Sequence, residues 1–432
     1  MKTVIMAGGK GTRISSVASD IPKPMIRVGE VPVLEHELEC LCQQGFTDII
    51  ITVSHLGNII MDYFGDGSGV SPTTGRPFGV HIEYFYEKEP LGNAGALFQL
   101  KNRLTEDFLL LNADAVFDVD FQRFVDFHRQ HNAIATLFTH PNSHPYDSGL
   151  IITDEHCVVQ KWLTKEETRP LYYQNRVNAG LHVLSPKILN VSISTPKIDL
   201  DRQLLKPLAG TGKMFAYDSP EYVKDMGTPE RYAMACRDFQ QGIVKAKNLQ
   251  NKQRAIFMDR DGTLNRYVGF LRDIQDFELL PNTEEAVKKI NGSEYLAIIA
   301  TNQPVVARGE VTFSQLREIH NKLETLLGEK GAYLDGVYFC PHHPHKGYEG
   351  EVAELKCDCD CRKPKPGLLM QAAKDYNIDL GESWMVGDSE SDIQAGIAAG
   401  CHTVLLGTET LNYGQEFTAQ TLYEAVSKIL QL

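Results

Sequence analysis

Short apolar runs alternate with amphipathic stretches along the whole chain, and that alternation limits the fold more than any other feature. KTVIMAG, DIIITVSH, DFLLLNAD and AIATLFTH read as buried strands in the first half, AIFMDRD, LAIIATNQ, GVYFCPHH, SWMVGD and TVLLG in the second. Between them, VLEHELECLCQQG and FSQLREIHNKLETLLGEKG carry apolar residues at helical spacing and end at glycine. Such alternation predicts α/β layers around a mostly parallel sheet. At 432 residues the chain exceeds one ordinary core, so two or three domains are expected. The polar stretch GIVKAKNLQNKQR precedes a fresh strand at Ala255 and reads as a helix fraying into a linker. The expected division is a domain over 1–240, a linker over 241–253 and a second domain over 254–432. The two halves open on different loops, with no internal repeat.

A formal charge of −13 argues against a broad nucleic-acid footprint or an anionic membrane surface, though a phosphate pocket needs only local positive charge. The start, MKTVIMAGG, has too short an apolar stretch for a signal peptide, and no segment approaches a spanning helix. A cytoplasmic location is therefore expected, with small molecules rather than nucleic acid or membrane as partners; a homo-oligomer is compatible with this. In that compartment the 9 cysteines are not a disulfide framework. Cys357, Cys359 and Cys361 fall within five residues, which asks for a metal.

One strand ends in Asp259-Arg260-Asp261-Gly262-Thr263. Two carboxylates at the carboxyl edge of a parallel sheet sit where α/β proteins bind ligands, and strand alternation aims both the same way. One can attack phosphorus while the other protonates the leaving oxygen and later activates water. Beside a phosphate dianion they need a divalent cation, and magnesium takes oxygen ligands. Asp388, at the end of SWMVGD, is the expected third acidic ligand beside Asp259 and Asp261. Thr301, ending LAIIATN, can hydrogen-bond a phosphoryl oxygen, and Lys363 can neutralise charge on the transferring group. These pieces, in this order over about residues 254–408, resemble the haloacid dehalogenase superfamily of phosphatases. No large insertion follows Asp261, so the resemblance implies a capless enzyme whose substrate choice comes from short loops.

Cys340-Pro341-His342-His343-Pro344 is followed by Cys357-Asp358-Cys359-Asp360-Cys361, directly before Arg362-Lys363-Pro364. A Cys-x-His pair and a Cys-x-Cys pair offer four soft ligands, as structural zinc requires. The pattern is similar to the heptose-1,7-bisphosphate phosphatases and, more loosely, to the histidinol-phosphate phosphatases. By position the resemblance puts zinc on Cys340, His342, Cys359 and Cys361, with Cys357 a competitor and His343 and His345 bystanders. It also implies substrate contacts from Asn302, Arg308 and Arg362. Pro304 and Val305, and the segment Arg266–Phe270, depart from the family's pattern.

In the first half, KTVIMA leads into Gly8-Gly9-Lys10-Gly11-Thr12-Arg13, then Pro22-Lys23-Pro24. Glycines let backbone N–H groups approach phosphates, while Arg13 and Lys23 add charge for a triphosphate. The pairing of this loop with PKP resembles the sugar-1-phosphate nucleotidyltransferases, over residues 1 to about 235. The family's order continues through Glu89-Pro90-Leu91-Gly92, Leu111-Asn112-Ala113-Asp114, Asn178-Ala179-Gly180 and Lys224-Asp225. The resemblance implies substrate contacts from Gly8, Gly9, Gly11, Thr12, Glu89, Gly92, Asn112, Asn178, Gly180 and Lys165. It implies magnesium on Asp114 and Asp225, with Arg13 and Lys23 steadying the phosphates of an in-line displacement. Ala113 replaces the usual glycine, and Trp162-Leu163-Thr164-Lys165 keeps the lysine of a sugar-contacting segment but not its glutamate.

Both resemblances together imply two Rossmann-like three-layer α/β domains, a GT-A-like transferase and a capless phosphatase. They imply removal of the distal phosphate of a heptose bisphosphate and nucleotidyl transfer to the remaining 1-phosphate; guanine as the base rests on resemblance alone. Two other readings stay open: hexose phosphates with an unrelated small-metabolite phosphatase, and a first half that senses a sugar nucleotide without turnover.

Overall fold

The computed structural model describes residues 1–8, 20–191, 193, 195, 197–408 and 411–432. Its contacts group into two compact units. The first comprises Met1–His140, Gly149–Thr164 and Val177–Asn248; the second comprises Pro141–Ser148, Lys165–Arg176 and Leu249–Leu432. The stretch 241–253 is structured: Ile243–Ala246 forms a helical turn, and Ile243, Val244, Lys247 and Asn248 are buried. The lysines read as fraying polar residues are thus in part packed against their unit.

Among the described residues of the first unit is a nine-stranded sheet. Thr3–Met6 lies at its centre, parallel to Asp48–Val53 on one side and Phe108–Asn112 on the other. These strands are apolar on both faces, as the interior strands of a covered parallel sheet must be. The expected parallel sheet extends only part of the way: Val177–Leu184 joins Phe108–Asn112 antiparallel, and Leu150–Thr153 and Val159–Leu163 follow as an antiparallel pair. Only residues 154–158 join these last two strands, too few for the helical crossover that a parallel pair requires. A two-stranded ribbon, Ala115–Asp118 with Tyr222–Asp225, sets Asp225 opposite Ala115.

The helix Val33–Gln43 packs on this sheet and buries Glu37, 1% exposed, neither of whose carboxylate oxygens takes a hydrogen bond. Burial, helped by the nearby Asp114 charge, holds its carboxyl well above the usual carboxylate range. Folded Glu37 therefore keeps a proton that the unfolded chain releases above about pH 4.3. Its contribution is fully present below that pH and declines as pH rises toward the raised folded value. Glu37→Gln should flatten the fall in the first unit's thermal midpoint between about pH 5 and pH 8. Parallel slopes for wild type and variant in a pH series of melts would refute this.

Among the described residues the second unit's sheet has six strands, all parallel, in the order Gly336–Cys340, Tyr295–Asn302, Arg254–Met258, Trp384–Gly387, His402–Leu406, Phe417–Ala419. From the central Arg254–Met258 the chain builds outward first one way and then the other. The carboxyl end of that strand is thus a topological switch point, where such sheets open a crevice. Ile256, Phe257 and Met258 are fully buried just before Asp259, so the nucleophile candidate leaves a rigid core.

Residues 141–148 and 165–176 also belong to this unit, against the helix Phe313–Glu329. Arg176 is 5% exposed and pairs with Glu324, 4% exposed, at 3.2 Å. Arg176 also donates to the carbonyls of Leu334 and Asp335, while the Asn175 N–H donates to Glu324 at 3.1 Å and the Tyr173 N–H to Thr325 Oγ1 at 2.9 Å. A buried ion pair with this many additional hydrogen bonds has its desolvation largely offset.

Candidate active sites

In the second unit Asp259 follows its strand directly, and its Oδ1 accepts from Lys363 Nζ at 2.7 Å. The same ammonium donates to Asp392 Oδ1 at 2.5 Å. Lys363 is held there by its own backbone, because Asn302 donates to its carbonyl and accepts from its N–H, at 3.0 and 3.1 Å. Asp388 completes a group with Asp259 and Asp392 whose ligand oxygens all lie within 4.8 Å. Burial pushes the Asp259 carboxyl up to about 6 despite Lys363, and burial with the neighbouring Asp259 charge pushes Asp388 up to about 7. Three carboxylates facing one ammonium carry a surplus negative charge that a hard divalent cation fits. Glycine at 262 is what permits the approach: with φ +88°, a Cβ there would fall 2.0 Å from Asp388 Oδ2.

Asp261 is placed differently from expectation. Its carboxylate is not in the acidic group; Oδ2 accepts from Arg260 Nη2 and Gln303 Nε2, both at 2.8 Å, and Oδ1 from Asn265 at 2.9 Å. Arg260 is fully buried and rests on Gln303 and on His320, whose own pKa burial lowers to about 3. Against desolvation, Arg260 and these donors hold Asp261 below the usual carboxylate range. With its oxygens so occupied, the Asp261 side chain stands apart from the group of Asp259, Asp388 and Asp392. Gln303 also reaches Thr301 Oγ1 at 3.1 Å, which brings Thr301 into the same network. Asp392 was missed because it reads as a helix-capping acid. It is one, since its Oδ2 accepts from Ser389, but its other oxygen takes Lys363.

Cys340, His342, Cys359 and Cys361 form a second group within 4.8 Å. Their neighbouring ligand atoms are 3.3 to 3.6 Å apart. Zn–S bonds of about 2.3 Å imply tetrahedral edges of about 3.8 Å, so a small expansion of this cage would seat a zinc ion. Cys357 is exposed and outside the group; His343, which is buried, and His345, which is exposed, are outside it too. Arg362 Nη1 donates to the His342 carbonyl at 3.2 Å, tying the residue before Lys363 to the cage.

In the first unit a cavity of about 630 Å³ is lined by Gly8, Lys23, Glu87, Gly92, Asn112 and Asp114, among others. Lys23 Nζ contacts Asp114 Oδ2 at 3.0 Å. The Met226 N–H donates to the Asp114 carbonyl at 3.1 Å, which keeps Asp225 beside it; the Asp225 carboxylate accepts from Arg231 and from the Gly227 N–H. Gly92 has φ +79° and a Cβ there would fall 2.3 Å from the Ile198 carbonyl, so only glycine fits. Gly180 packs as closely on Asn112, which links the Asn178–Gly180 turn to the cavity floor. Glu89 is exposed and does not line the cavity; Glu87 does, with its carboxyl raised by burial. The chain bends at Lys88 and Glu89, directly after Glu87, and the motif alone does not say which glutamate turns inward. Lys165 is exposed and also outside the lining. Gly9, Gly11, Thr12 and Arg13 lie outside the described residues.

Residues 2–242 match the nucleotidyl transferase family, and residues 360–424 match a HAD-hydrolase-like family. Among curated proteins, the chain is 41% identical over 152 residues to the D-glycero-beta-D-manno-heptose-1,7-bisphosphate 7-phosphatase of Yersinia pestis, covering 35% of this chain and 79% of that one. It is 42% identical over 157 residues to the Pasteurella multocida protein of the same name, covering 36% of this chain and 83% of that one. Among solved structures it is similar to HddC from Yersinia pseudotuberculosis, with 26% identity and a TM-score of 0.46 over 55% of this chain and 99% of that one. With catalytic-type side chains gathered in each unit, the chain is a two-part enzyme that belongs to the nucleotidyl transferase family and, in its hydrolase part, to the family of the heptose-bisphosphate phosphatases.

Proposed function

We propose that this enzyme removes the distal phosphate of D-glycero-D-manno-heptose 1,7-bisphosphate and transfers a nucleotidyl group, GMP from GTP, to the resulting heptose 1-phosphate. The observation that carries the reading is the Asp259–Lys363–Asp392 constellation beside a Cys/His cage in the same chain as the Lys23–Asp114 cavity. The similarity to heptose-bisphosphate phosphatases supports the sugar. No helix among the described residues is long and apolar enough to cross a membrane, in keeping with action in the cytoplasm, where triphosphates are made.

In the phosphatase, Asp259 attacks phosphorus and its P–O bond forms as the sugar oxygen leaves. Lys363 and Thr301 steady the phosphoryl oxygens. Asp261, from its seat on Arg260 and Gln303, must first take up a proton; it passes that proton to the leaving oxygen and, ionised again, takes one from the water that releases phosphate. Asp259 and Asp388, with Asp392 adjoining, would hold a magnesium ion, which would supply the positive charge for the dianion. In the transferase, Asp114 and Asp225 would hold magnesium, while Lys23 and Arg13 would orient the triphosphate for attack by the sugar phosphate oxygen. Gly8, Gly9, Gly11 and Thr12 line the phosphates, with Gly92, Asn112, Asn178 and Gly180 toward the sugar nucleotide.

Cys340, His342, Cys359 and Cys361 would hold a zinc ion, which would pin the loop that ends in Arg362 and Lys363. The purified chain should carry about one zinc, and Cys361→Ser should lose it together with most phosphatase activity, while pyrophosphate release persists. Metal analysis beside the two assays decides this; full phosphatase activity in a zinc-free variant contradicts it.

The whole reading is tested by incubating the enzyme with heptose 1,7-bisphosphate and each nucleoside triphosphate. Mass spectrometry should show a nucleotide-heptose with phosphate and pyrophosphate, most abundant with GTP. Absence of any nucleotide-heptose overturns it.

A further inference from the structure

The helix Phe313–Glu329 turns Leu316, Ile319, Leu323 and Leu327 into the second unit's core, where all four are buried. His320 stands on the same stripe, one turn after Leu316 and one turn before Leu323. A polar ring on an apolar face costs stability unless it is hydrogen-bonded. Here its partner is a charge: His320 Nε2 lies 3.1 Å from Nη1 of Arg260, which is fully buried. A guanidinium only donates, so Nε2 is the accepting nitrogen and the ring is neutral, with its proton on Nδ1. Burial, with the Arg260 charge beside it, favours that form and lowers the ring's pKa to about 3.

Arg260 is held from two sides and turns its Nε–Nη2 edge to one carboxylate. His320 takes Nη1, Gln303 Oε1 takes Nη2 at 2.9 Å, and Asp261 faces Nε and Nη2 at 3.4 and 2.8 Å. Because the far acceptor is uncharged, the guanidinium charge is not divided between two acids. The other cations at these strand ends are engaged elsewhere. Lys363 lies between Asp259 and Asp392, and Arg308 binds Glu310 and packs on the rings of Phe270 and Tyr348. The helix behind the histidine is capped, since Thr312 Oγ1 accepts from the Gln315 N–H and the Gln315 side chain from the Thr312 N–H. Phe339 covers the flank of the ring, with 5.4 Å between the two centres.

We propose that His320 is a positioning residue for the acid–base step of the phosphatase: by accepting from Arg260 it fixes the guanidinium, and through it the angle of the Asp261 carboxyl to the leaving oxygen. This rests on the phosphatase reading above. In that step the bond from phosphorus to the sugar oxygen breaks as the bond to Asp259 forms, and the proton passes from Asp261 to the sugar oxygen. An alkoxide leaves poorly without that proton, whereas a nitrophenolate leaves without help. A misplaced Asp261 therefore costs rate on an alkyl phosphate and little on an aryl one.

The test uses the full chain with heptose 1,7-bisphosphate, an alkyl phosphate, and p-nitrophenyl phosphate, an aryl one. The quantity read is kcat/KM, which ends at departure of the leaving group and excludes the later water step that all substrates share. His320→Phe keeps a ring against Phe339 but has no lone pair for Arg260. His320→Gln gives up the ring but sets an amide oxygen near the place of Nε2. His320→Phe should lower kcat/KM about 10–100-fold on the bisphosphate and less than about threefold on the aryl ester. His320→Gln should stay within about threefold of wild type on both. Equal losses on both substrates, or a glutamine variant worse than the phenylalanine one, show a packing role and overturn the proposal. If the phenylalanine variant does not fold, nitrogen NMR of histidine-labelled wild type decides, with His320→Gln identifying the signal. The ring should then be neutral with its proton on Nδ1 between about pH 6 and pH 8, and a proton on Nε2 overturns the proposal. A wild-type chain that hydrolyses neither substrate overturns the phosphatase reading and this inference together.

Discussion

Replacing Asp259 with asparagine should lower phosphate release about 10⁴-fold or more while pyrophosphate release from heptose 1-phosphate and GTP continues. The change is nearly isosteric, and Asp259 is 9% exposed on a strand that is otherwise core, so the unit should stay folded. What is lost is the attacking oxygen. Lys363, now facing an amide, keeps Asp392 at 2.5 Å and is not stranded as an unpaired buried charge. The comparison that gives this force is Asp392→Asn. It removes the other partner of the same lysine but leaves the nucleophile, so its loss should be far smaller. Phosphate release is read by a colorimetric assay on the bisphosphate, with transferase turnover in the same preparation as the folding control. If Asp259→Asn retains more than about one hundredth of wild-type turnover, another group is the nucleophile.

The second large effect is on stability. Arg176→Met should destabilise the second unit by about 3–5 kcal/mol, because Glu324 is left as a buried carboxylate with its main counter-charge removed. The Asn175 N–H still donates to Glu324, which covers one oxygen and not the charge. The chain has 2 tryptophans, and Trp384 lies in the second unit; a Trp162→Phe background makes fluorescence report that unit during urea unfolding. Arg176→Met with Glu324→Leu should recover most of the loss, since exchanging a whole buried pair for apolar groups is close to neutral. A loss below about 1 kcal/mol for Arg176→Met alone would show that water reaches Glu324 and that the pair is not buried in solution.

Much of the arrangement is legible in the sequence wherever chemistry dictates a residue type at a strand end. Asp259, Thr301, Lys363 and Asp388 could be singled out because phosphoryl transfer needs an attacking oxygen, a hydroxyl, a cation and a further acid at one sheet edge, and the fold places them there. A Cys/His metal site could be read from spacing, and the family resemblance singled out Cys340, His342, Cys359 and Cys361 as its ligands. Other features were hidden for physical reasons. Asp392 wears the signature of a helix cap and uses one oxygen for that and the other for Lys363. Asp261 looks in sequence like a second ligand, but the buried Arg260 beside it claims its carboxylate. Glu87 and Glu89 differ only in which way a bend turns. The antiparallel strands of the first unit, and the membership of 165–176 in the second, follow from long-range pairing that no local pattern encodes.

That membership has a consequence for how the protein is made. Arg176 and Glu324 stand 148 positions apart. A ribosome adding about 5–20 residues each second delivers the glutamate roughly 7–30 s after the arginine. Through that interval the segment from Lys165 to Arg176, with exposed Lys165, Glu166 and Glu167, has no helix to dock on. A protease acting during synthesis should therefore cut there, and the same bond should resist once the helix Phe313–Glu329 has emerged and closed over Arg176.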